Sequence, residues 1–225
     1  MSELFVVRHG QASFGAENYD QLSALGMQQS VWLGEYFKAR HKTFGQVWRG
    51  SLVRHEQTAQ GILSGLVNPI APTVIPELNE FDFQTVARAY LNVQPDDVLP
   101  QNPVPTDFYR LLKKAMLAWS QGHLAAQELS ESWQAFYDRV ALVLRRVCQT
   151  ESDKPILLVT SGGVIAMMMS VVLGLDAKQV GELNLQIRNS SVSHFYFNQH
   201  SIRLSGFNHV SHLDSLERLN AITFS

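Results

Sequence analysis

Residues 156–175 read ILLVTSGGVIAMMMSVVLGL and contain no charged side chain. A stretch of this length could cross a bilayer, but its interior is not that of one continuous helix. The β-type apolar run Ile156–Val159 is interrupted by Thr160-Ser161-Gly162-Gly163 before a second apolar segment begins. This pattern indicates a buried strand, a glycine turn and a buried helix. The stretch therefore predicts an α/β fold and not a membrane span.

Strand and helix patterns alternate along most of the remaining chain. Ser23 precedes a helical pattern of apolar residues, as a helix N-cap does. The predicted strands are Leu4–Val7, Gln46–Trp48, Val74–Ile75 and the hairpin of Val192–Phe197 with Ile202–Leu204, and the predicted helices include Val53–Leu66, Ser132–Val147 and one from Gly163. We therefore expect a three-layer α/β/α sandwich whose sheet is mostly parallel, with one antiparallel strand from the final hairpin.

The segment 81–127 has a different pattern. Two helical stretches, Thr85–Leu91 and Phe108–Trp119, flank the proline-rich stretch Pro95–Pro105. Too few residues remain here to form a second core. We interpret the segment as a helical cap inserted into a single domain that spans residues 1–225.

Composition limits the classes of partner. The 225 residues are 45% hydrophobic and 17% charged, which is typical of globular proteins. A formal net charge of −2 provides no field that would attract nucleic acid or an anionic membrane. The only cysteine, Cys148, has no internal disulfide partner, and no signal-peptide pattern follows Met1. We expect a cytoplasmic protein without nucleic-acid or membrane partners.

The first group of candidate site residues is Arg8-His9-Gly10, which follows the first predicted strand. Ligands of open α/β sheets bind at the carboxyl ends of strands. A neutral imidazole can act as a nucleophile, and a guanidinium offers paired donors to phosphate oxygens. Taken alone, an Arg-His pair at a strand end could also have a structural role.

Three further groups follow strands in the same way. Arg54 lies in the first turn of a predicted helix, where unpaired backbone N–H groups favour an anion. Glu80 and Asp82 are flanked by aromatic residues that could raise a carboxyl pKa, as a general acid requires. Ser161-Gly162-Gly163 presents backbone N–H groups at a strand-to-helix turn. Each group also has an ordinary explanation as a surface arginine, loop acids or a turn.

Together these groups resemble the histidine phosphatase superfamily, in its phosphoglycerate mutase-like branch. The similarity extends over nearly the whole chain, and the blocks occur in the family's order. The matching blocks are Arg8-His9-Gly10, Leu22-Ser23…Gly26…Gln29, Ser51…Arg54…Gln57-Thr58-Ala59, Leu78-Asn79-Glu80, Arg188-Asn189-Ser190-Ser191-Val192 and Asn208…His212-Leu213.

The resemblance implies a mechanism and its residues. His9 would accept the phosphoryl group, Arg8 and Arg54 would bind its oxygens, and Glu80 would act as general acid and then base. Asn18 would be a further phosphate contact, and Ser161 and Gly162 would line the substrate site. No metal or other cofactor is implied, because the arginines and backbone donors neutralise the charge.

The chain departs from the family pattern at one position. The family has a second histidine at the end of the strand before Gly-Gly, and Ser161 stands there instead. A serine can donate a hydrogen bond but carries no charge. His55, directly after Arg54, could compensate by reaching the substrate site, although a surface or packing role is the simpler interpretation for it.

We therefore expect a metal-independent phosphohydrolase that acts on a phosphomonoester through a phosphohistidine on His9. Its substrate would be a small phosphorylated molecule or a phosphorylated protein side chain. A phosphoglycerate mutase-type phosphotransferase is one alternative, although the Gln11-Ala12-Ser13 loop differs from that of glycolytic mutases. A catalytically weak or silent anion-binding homologue is the other, and Ser161 is its main support.

Overall fold

The computed structural model describes residues 1–13, 20–67 and 70–224. Helices and strands alternate along the chain, as the apolar patterns predict. The strands are β1 Ser2–Arg8, β2 Gln46–Arg49, β3 Thr73–Val74, β4 Ile156–Thr160, β5 Val192–Phe197 and β6 Ile202–His209. The helices are α1 Ala24–Ala39, α2 Val53–Leu66, α3 Phe83–Val93, α4 Pro105–Ser120, α5 Trp133–Gln149, α6 Gly162–Leu173 and α7 Ala177–Gln186.

The strands form one sheet in the order β3-β2-β4-β1-β5-β6. β3, β2, β4 and β1 pair in parallel, whereas β5 pairs antiparallel with both β1 and β6. Within the described residues, β5 is thus the one strand that runs against the others. The predicted α/β sandwich with a mostly parallel sheet and one antiparallel strand is confirmed.

Alternate residues of β1 enter two separate cores. Leu4 and Val6 pack into a large cluster with residues of α3 to α6, while Phe5 and Val7 pack into a smaller one with residues of α1 and α2. Side chains of a strand alternate between the two faces of its sheet. Both faces of the sheet are therefore covered by helices, which explains why the central strands are apolar without interruption.

The segment 81–127 contributes its helices to the larger core. Trp119 of α4 stacks on Phe136 of α5 with ring centroids 5.7 Å apart, and Phe81 packs 5.2 Å from Trp119. This aromatic cluster joins the segment 81–127 to the same core as α5, and the interpretation of the segment as a cap stays a prediction. α4 begins at Pro105, three residues before the predicted Phe108, because proline is well suited to the first helical position.

Apart from shifts of one to three residues at element ends, two elements differ from the sequence prediction. The helix α7 was not predicted, although Asp176 and Gln179 form a capping box at its start. β6 continues to His209 instead of ending at Leu204, since it stays paired with β5 across an irregularity in register. In the described part of the chain, no helix is long and apolar enough to cross a membrane.

Helices α1 and α2 pack closely on the outer face of the smaller core. A Cβ atom on Gly34 of α1 would lie 2.1 Å from the carbonyl oxygen of Ile62 in α2. A Cβ atom on Gly65 would lie 2.3 Å from the carbonyl oxygen of Val31. The two helices can therefore approach this closely only because the contact positions lack side chains.

We predict that Gly34→Ala lowers the free energy of unfolding by about 1–3 kcal/mol, because the backbone at Ile62 must move. The matched control is Gly181→Ala in α7, where an added Cβ meets nothing within 4 Å. That variant should be stabilised by up to about 1 kcal/mol, since alanine favours a helix. Urea unfolding of both variants measures the difference, and equal effects would contradict the packing argument.

Candidate active site

The central strand pair brings two of the predicted groups together. β1 and β4 pair in parallel up to Arg8 opposite Thr160, and the amide of His9 donates to the carbonyl of Thr160 at 2.9 Å. His9 and Ser161 therefore leave the sheet side by side at its carboxyl edge. The structure therefore places these two predicted groups in adjacent loops.

The His9 side chain is buried and held by a hydrogen bond to its own neighbour. Its Nδ1 lies 2.7 Å from the carbonyl oxygen of Gly10, and only 5% of the residue is exposed. Burial holds the pKa of His9 well below its ordinary 6.5, and the charges of Arg8 and Arg54 lower it further. A carbonyl can only accept, so Nδ1 carries the proton of the neutral ring. Nε2 is then unprotonated, as a nucleophile requires.

The backbone around His9 is fixed from two directions. Its carbonyl oxygen accepts hydrogen bonds from the Ser190 amide at 3.2 Å and from Nδ2 of Asn189 at 3.4 Å. The amide of Gly10 donates to Oγ1 of Thr58 in α2 at 3.1 Å. The Asn189-Ser190 and Thr58 blocks of the sequence thus position the loop that carries His9.

Arg8 is anchored at the end of β1 by backbone carbonyls. Its Nη1 donates to the carbonyl oxygens of Ile187 and Phe224. Its Nε would lie 3.5 Å from a Cβ placed on Gly162, the first residue of α6. The guanidinium is therefore adjacent to the N-terminus of α6, where backbone N–H groups favour an anion.

Arg54 lies in the first turn of α2 and is almost completely buried. Its Nη1 donates to Oδ1 of Asp20 at 2.8 Å, and the other carboxylate oxygen of Asp20 accepts from the Val53 amide at 2.9 Å. Burial lowers the pKa values of His9 and His55, and the positive charge of Arg54 lowers them further. The same charge opposes the rise that burial causes in the pKa of Glu80. Sequence analysis missed Asp20, because an acid in a polar loop carries no local signal of a partner 34 residues away.

The Glu80 carboxylate is bound at the start of α6. Its Oε2 accepts from the Gly163 amide at 3.0 Å, and its Oε1 accepts from the Phe81 amide at 3.2 Å. A Cβ on Gly163 would lie 2.4 Å from Oε1, so only glycine allows this approach. Burial raises the pKa of Glu80 above its ordinary 4.5, although the Gly163 hydrogen bond and the charges of Arg54 and Arg8 oppose it.

Asp82, the other acid considered for this role, has a structural function. Its exposed side chain accepts from the Thr85 amide at 3.1 Å and caps α3. The structure therefore separates the two carboxylates, with Glu80 in the candidate site and Asp82 on the helix cap.

His55 lies within the candidate site and not on the surface. Its Nε2 is 2.7 Å from Oγ of Ser161, and both residues are completely buried. Its ring centroid lies 5.8 Å from that of His9. Burial, followed by the charges of Arg54 and Arg49, lowers the pKa of His55 well below 6.5. The surface interpretation of His55 is wrong, because helix α2 turns this side chain inward beneath the end of β4.

The structure thus brings together Arg8, His9, Arg54, His55, Glu80, Ser161 and Gly162. Asn18, the remaining predicted contact, lies outside the described residues. Among the described side chains, no group of three or more His, Cys, Asp or Glu residues could hold a metal ion. The cationic side chains of this site are the half-buried Arg8 and the buried Arg54.

Known proteins are similar to this chain in sequence and in fold. A curated relative from Salmonella choleraesuis (strain SC-B67), described as probable phosphoglycerate mutase GpmB, is 26% identical over 226 residues and covers 96% of each chain. The structure of a phosphoserine phosphatase variant from Entamoeba histolytica superposes with a TM-score of 0.69 at 20% identity, covering 95% of this chain and 100% of that one. Phosphoglycerate mutase from Bacillus anthracis superposes with the same score at 16% identity, covering 94% of both.

The family model of the histidine phosphatase superfamily (branch 1) matches residues 4–96 and 102–210. These ranges include the matching blocks from Arg8-His9-Gly10 to Arg188-Asn189-Ser190-Ser191-Val192, and the last block, Asn208…His212-Leu213, extends beyond them. The chain belongs to the histidine phosphatase superfamily.

Proposed function

We propose that this protein is a phosphohydrolase that transfers the phosphoryl group of a phosphomonoester to His9 and then to water. The observation that carries the proposal is the state of His9. Its Nδ1 proton is held by the Gly10 carbonyl, which leaves Nε2 with a lone pair beside two arginines. Family membership supports a phosphatase or mutase activity in general, and this geometry is the basis for naming the nucleophile.

In the first step, Nε2 of His9 attacks phosphorus as the bond to the leaving oxygen breaks. The guanidinium groups of Arg8 and Arg54 bind the remaining phosphoryl oxygens as charge spreads over them. Glu80 gives its proton to the leaving oxygen, so an alcohol departs. The product is a phosphohistidine and a Glu80 carboxylate.

In the second step, water attacks phosphorus and the bond to Nε2 of His9 breaks. Glu80, now ionised, takes a proton from that water, which regenerates the acid. The raised pKa of Glu80 suits both roles, because it brings the group closer to neutral pH than an ordinary carboxyl. Preorganised arginines supply the electrostatic stabilisation, so the proposed mechanism uses no metal or other cofactor.

The substrate class follows from the family and from the neighbours. The structural neighbours include proteins solved with phosphoserine and with 3-phosphoglyceric acid. We therefore propose a small phosphorylated molecule or a phosphorylated protein side chain as substrate. The net charge of −2 argues against nucleic acid as a partner.

A phosphoglycerate mutase-type transfer is the second candidate function. The relative described as a probable phosphoglycerate mutase favours it. The Gln11-Ala12-Ser13 loop after His9 differs from that of glycolytic mutases, which argues for hydrolysis instead. Gln11 is neutral, and its side-chain oxygen accepts from the hydroxyl of Ser23 at 2.8 Å, so it is used to support the start of α1.

A screen of phosphorylated metabolites and phosphopeptides, with wild type and His9→Ala in parallel, tests the function. We expect inorganic phosphate to be released from at least one substrate, and the variant to lose at least ~10³-fold in rate because the nucleophile is gone. Transfer to a second hydroxyl without phosphate release would identify a mutase. Absence of any turnover by wild type would favour the silent anion-binding alternative.

Glu80→Gln should affect alkyl phosphates far more than aryl phosphates. A general acid contributes about 10²–10⁴-fold where the leaving oxygen is strongly basic and little where it departs readily as an anion. We therefore expect a loss in that range for alkyl substrates and less than ~10-fold for aryl ones. The matched control is Asp82→Asn, which changes a helix cap. If Asp82→Asn shows the leaving-group dependence, or Glu80→Gln affects both substrates equally, Glu80 is not the acid.

A further inference from the structure

The hydrogen bond between His55 and Ser161 joins two helices inside the site. His55 belongs to the first turn of α2, and Ser161 is the N-cap residue of α6. Their Nε2–Oγ distance of 2.7 Å is short for a side-chain hydrogen bond, and neither residue is exposed to solvent. Contact with solvent cannot explain a polar pair that is completely buried, so its position next to the proposed nucleophile requires another explanation.

Ser161 does not perform the usual task of a serine at a helix start. An N-cap hydroxyl normally accepts from a backbone amide of the first turn. Ser161 makes no such bond, and the Gly163 amide donates to Glu80 instead. The hydroxyl is turned toward His55, so the cap interaction has been replaced by one with an imidazole.

A missing side chain makes room for the His55 ring. A Cβ on Gly50 would lie 2.2 Å from Nδ1 of His55 and 2.6 Å from Oδ1 of Asn79. The ring could not lie here with any other residue at position 50 unless the neighbours moved. Gly50, His55 and Ser161 therefore fit together as a set.

The surroundings of Nδ1 indicate which nitrogen of His55 carries the proton. Nδ1 is buried and has no hydrogen-bond partner among the described residues. A buried donor left without an acceptor costs about 1–3 kcal/mol and orphaned N–H groups are rarer than orphaned acceptors. The proton therefore lies on Nε2, which donates to Oγ of Ser161. The hydroxyl then keeps its own proton for another acceptor.

An acceptor for the proton of this hydroxyl would be supplied from the neighbouring strand. Paired strands are about 4.8 Å apart, and Arg8 is in register with Thr160, so His9 and Ser161 follow at equivalent positions. A phosphoryl group on His9 would bring its oxygens near the Ser161 hydroxyl. The ring of His55 lies behind that hydroxyl, 5.8 Å from the ring of His9.

We propose that Ser161 donates its hydroxyl proton as a hydrogen bond to a phosphoryl oxygen, and that His55 is the positioning residue that directs this hydroxyl. The proposal rests on the proposed phosphoryl transfer through His9. In this proposal, Ser161 at the start of α6 and His55 in α2 together bind the phosphoryl oxygen in place of the second histidine that the family has at position 161. No proton is transferred between His55, Ser161 and the phosphoryl group. The pair therefore stabilises the negative charge of the phosphoryl oxygens without taking part in acid–base chemistry.

A double-mutant cycle of Ser161→Ala and His55→Ala tests the pair. Removing one preorganised donor costs about 10²–10³-fold, so each variant should lose ~10²-fold in kcat. The double variant should be no slower than either single one, because the two residues act as a unit. His55→Gln should recover part of the loss, since its amide can place an N–H near the Nε2 position.

The control variant is His194→Ala. His194 of β5 also pairs with a side chain of another element, Nε2 to Oε2 of Glu3 at 3.0 Å, but its ring stacks on Phe5 of the smaller core, with centroids 4.5 Å apart, and contacts none of the candidate site residues that the structure describes. This variant should lose stability but keep kcat within a few-fold. If it slows turnover as much as His55→Ala, a general packing effect explains the data and the proposal is wrong.

The remaining outcomes also decide the matter. If the losses multiply in the double variant, or if Ser161→Ala turns over at the wild-type rate, the proposed Ser161–His55 pair is wrong. The proposed function stays intact in that case as long as turnover depends on His9. Turnover that does not depend on His9 overturns both. If His55→Ala does not fold, His55→Leu, which fills the space but has no N–H donor, takes its place in the cycle with Ser161→Ala.

A relocation of the imidazole gives an independent test. Ser161→His alone should lower activity, because the new ring must share the space that His55 already fills. Combined with His55→Ala, the same substitution should recover at least ~10-fold, since a single imidazole then stands at the end of β4. A rate increase in Ser161→His with His55 intact would contradict the proposal.

Discussion

The parallel pairing of β1 with β4 at the centre of the sheet is the constraint on which the site depends. Five register pairs, from Leu4 with Ile156 to Arg8 with Thr160, hold the two strands together. Because both strands end at the same edge, the loop with His9 and the start of α6 emerge side by side. The Gly163 amide then binds Glu80, which brings the carboxylate to the same edge. A displacement of one strand by one residue would separate His9, the proposed nucleophile, from Glu80, the proposed acid.

Burial and charge have opposite effects on the groups of this site. The imidazoles of His9 and His55 lose their protons more easily because they are buried close to arginines. The carboxyl of Glu80 keeps its proton more readily, also because it is buried. The positive charge of the site is thus carried by the guanidinium groups of Arg8 and Arg54. The result is a positively charged site suited to an anion, in which His9, the proposed nucleophile, is neutral and Glu80, the proposed acid, has a raised pKa.

Much of the fold could be predicted from sequence, because the deciding signals are local. The N-cap at Ser23, the helix Val53–Leu66 and the strand Val192–Phe197 all have the predicted bounds. The helix α7 was missed because its apolar residues are sparse and only the Asp176 capping box marked its start. The extension of β6 depends on pairing with β5, which no local pattern reveals.

The site was predictable where one residue type has one role, and less so where partners are distant in sequence. His9, Glu80 and the two arginines followed from strand ends and from the family blocks. The position of His55 did not, because it depends on space left by Gly50 and on a hydroxyl 106 residues away. Asp20, a loop residue, was missed for the same reason, since its partners Val53 and Arg54 lie more than 30 residues away in α2.

The central claim is that the phosphoryl group passes through His9. Mass spectrometry of the enzyme, quenched without acid during turnover of a good substrate, tests it most directly. We predict one added phosphoryl group on a peptide that contains His9, its loss after acid treatment, and its absence from His9→Ala. An acid-stable phosphoryl group on another residue such as Ser161, or full turnover by His9→Ala, would contradict the account.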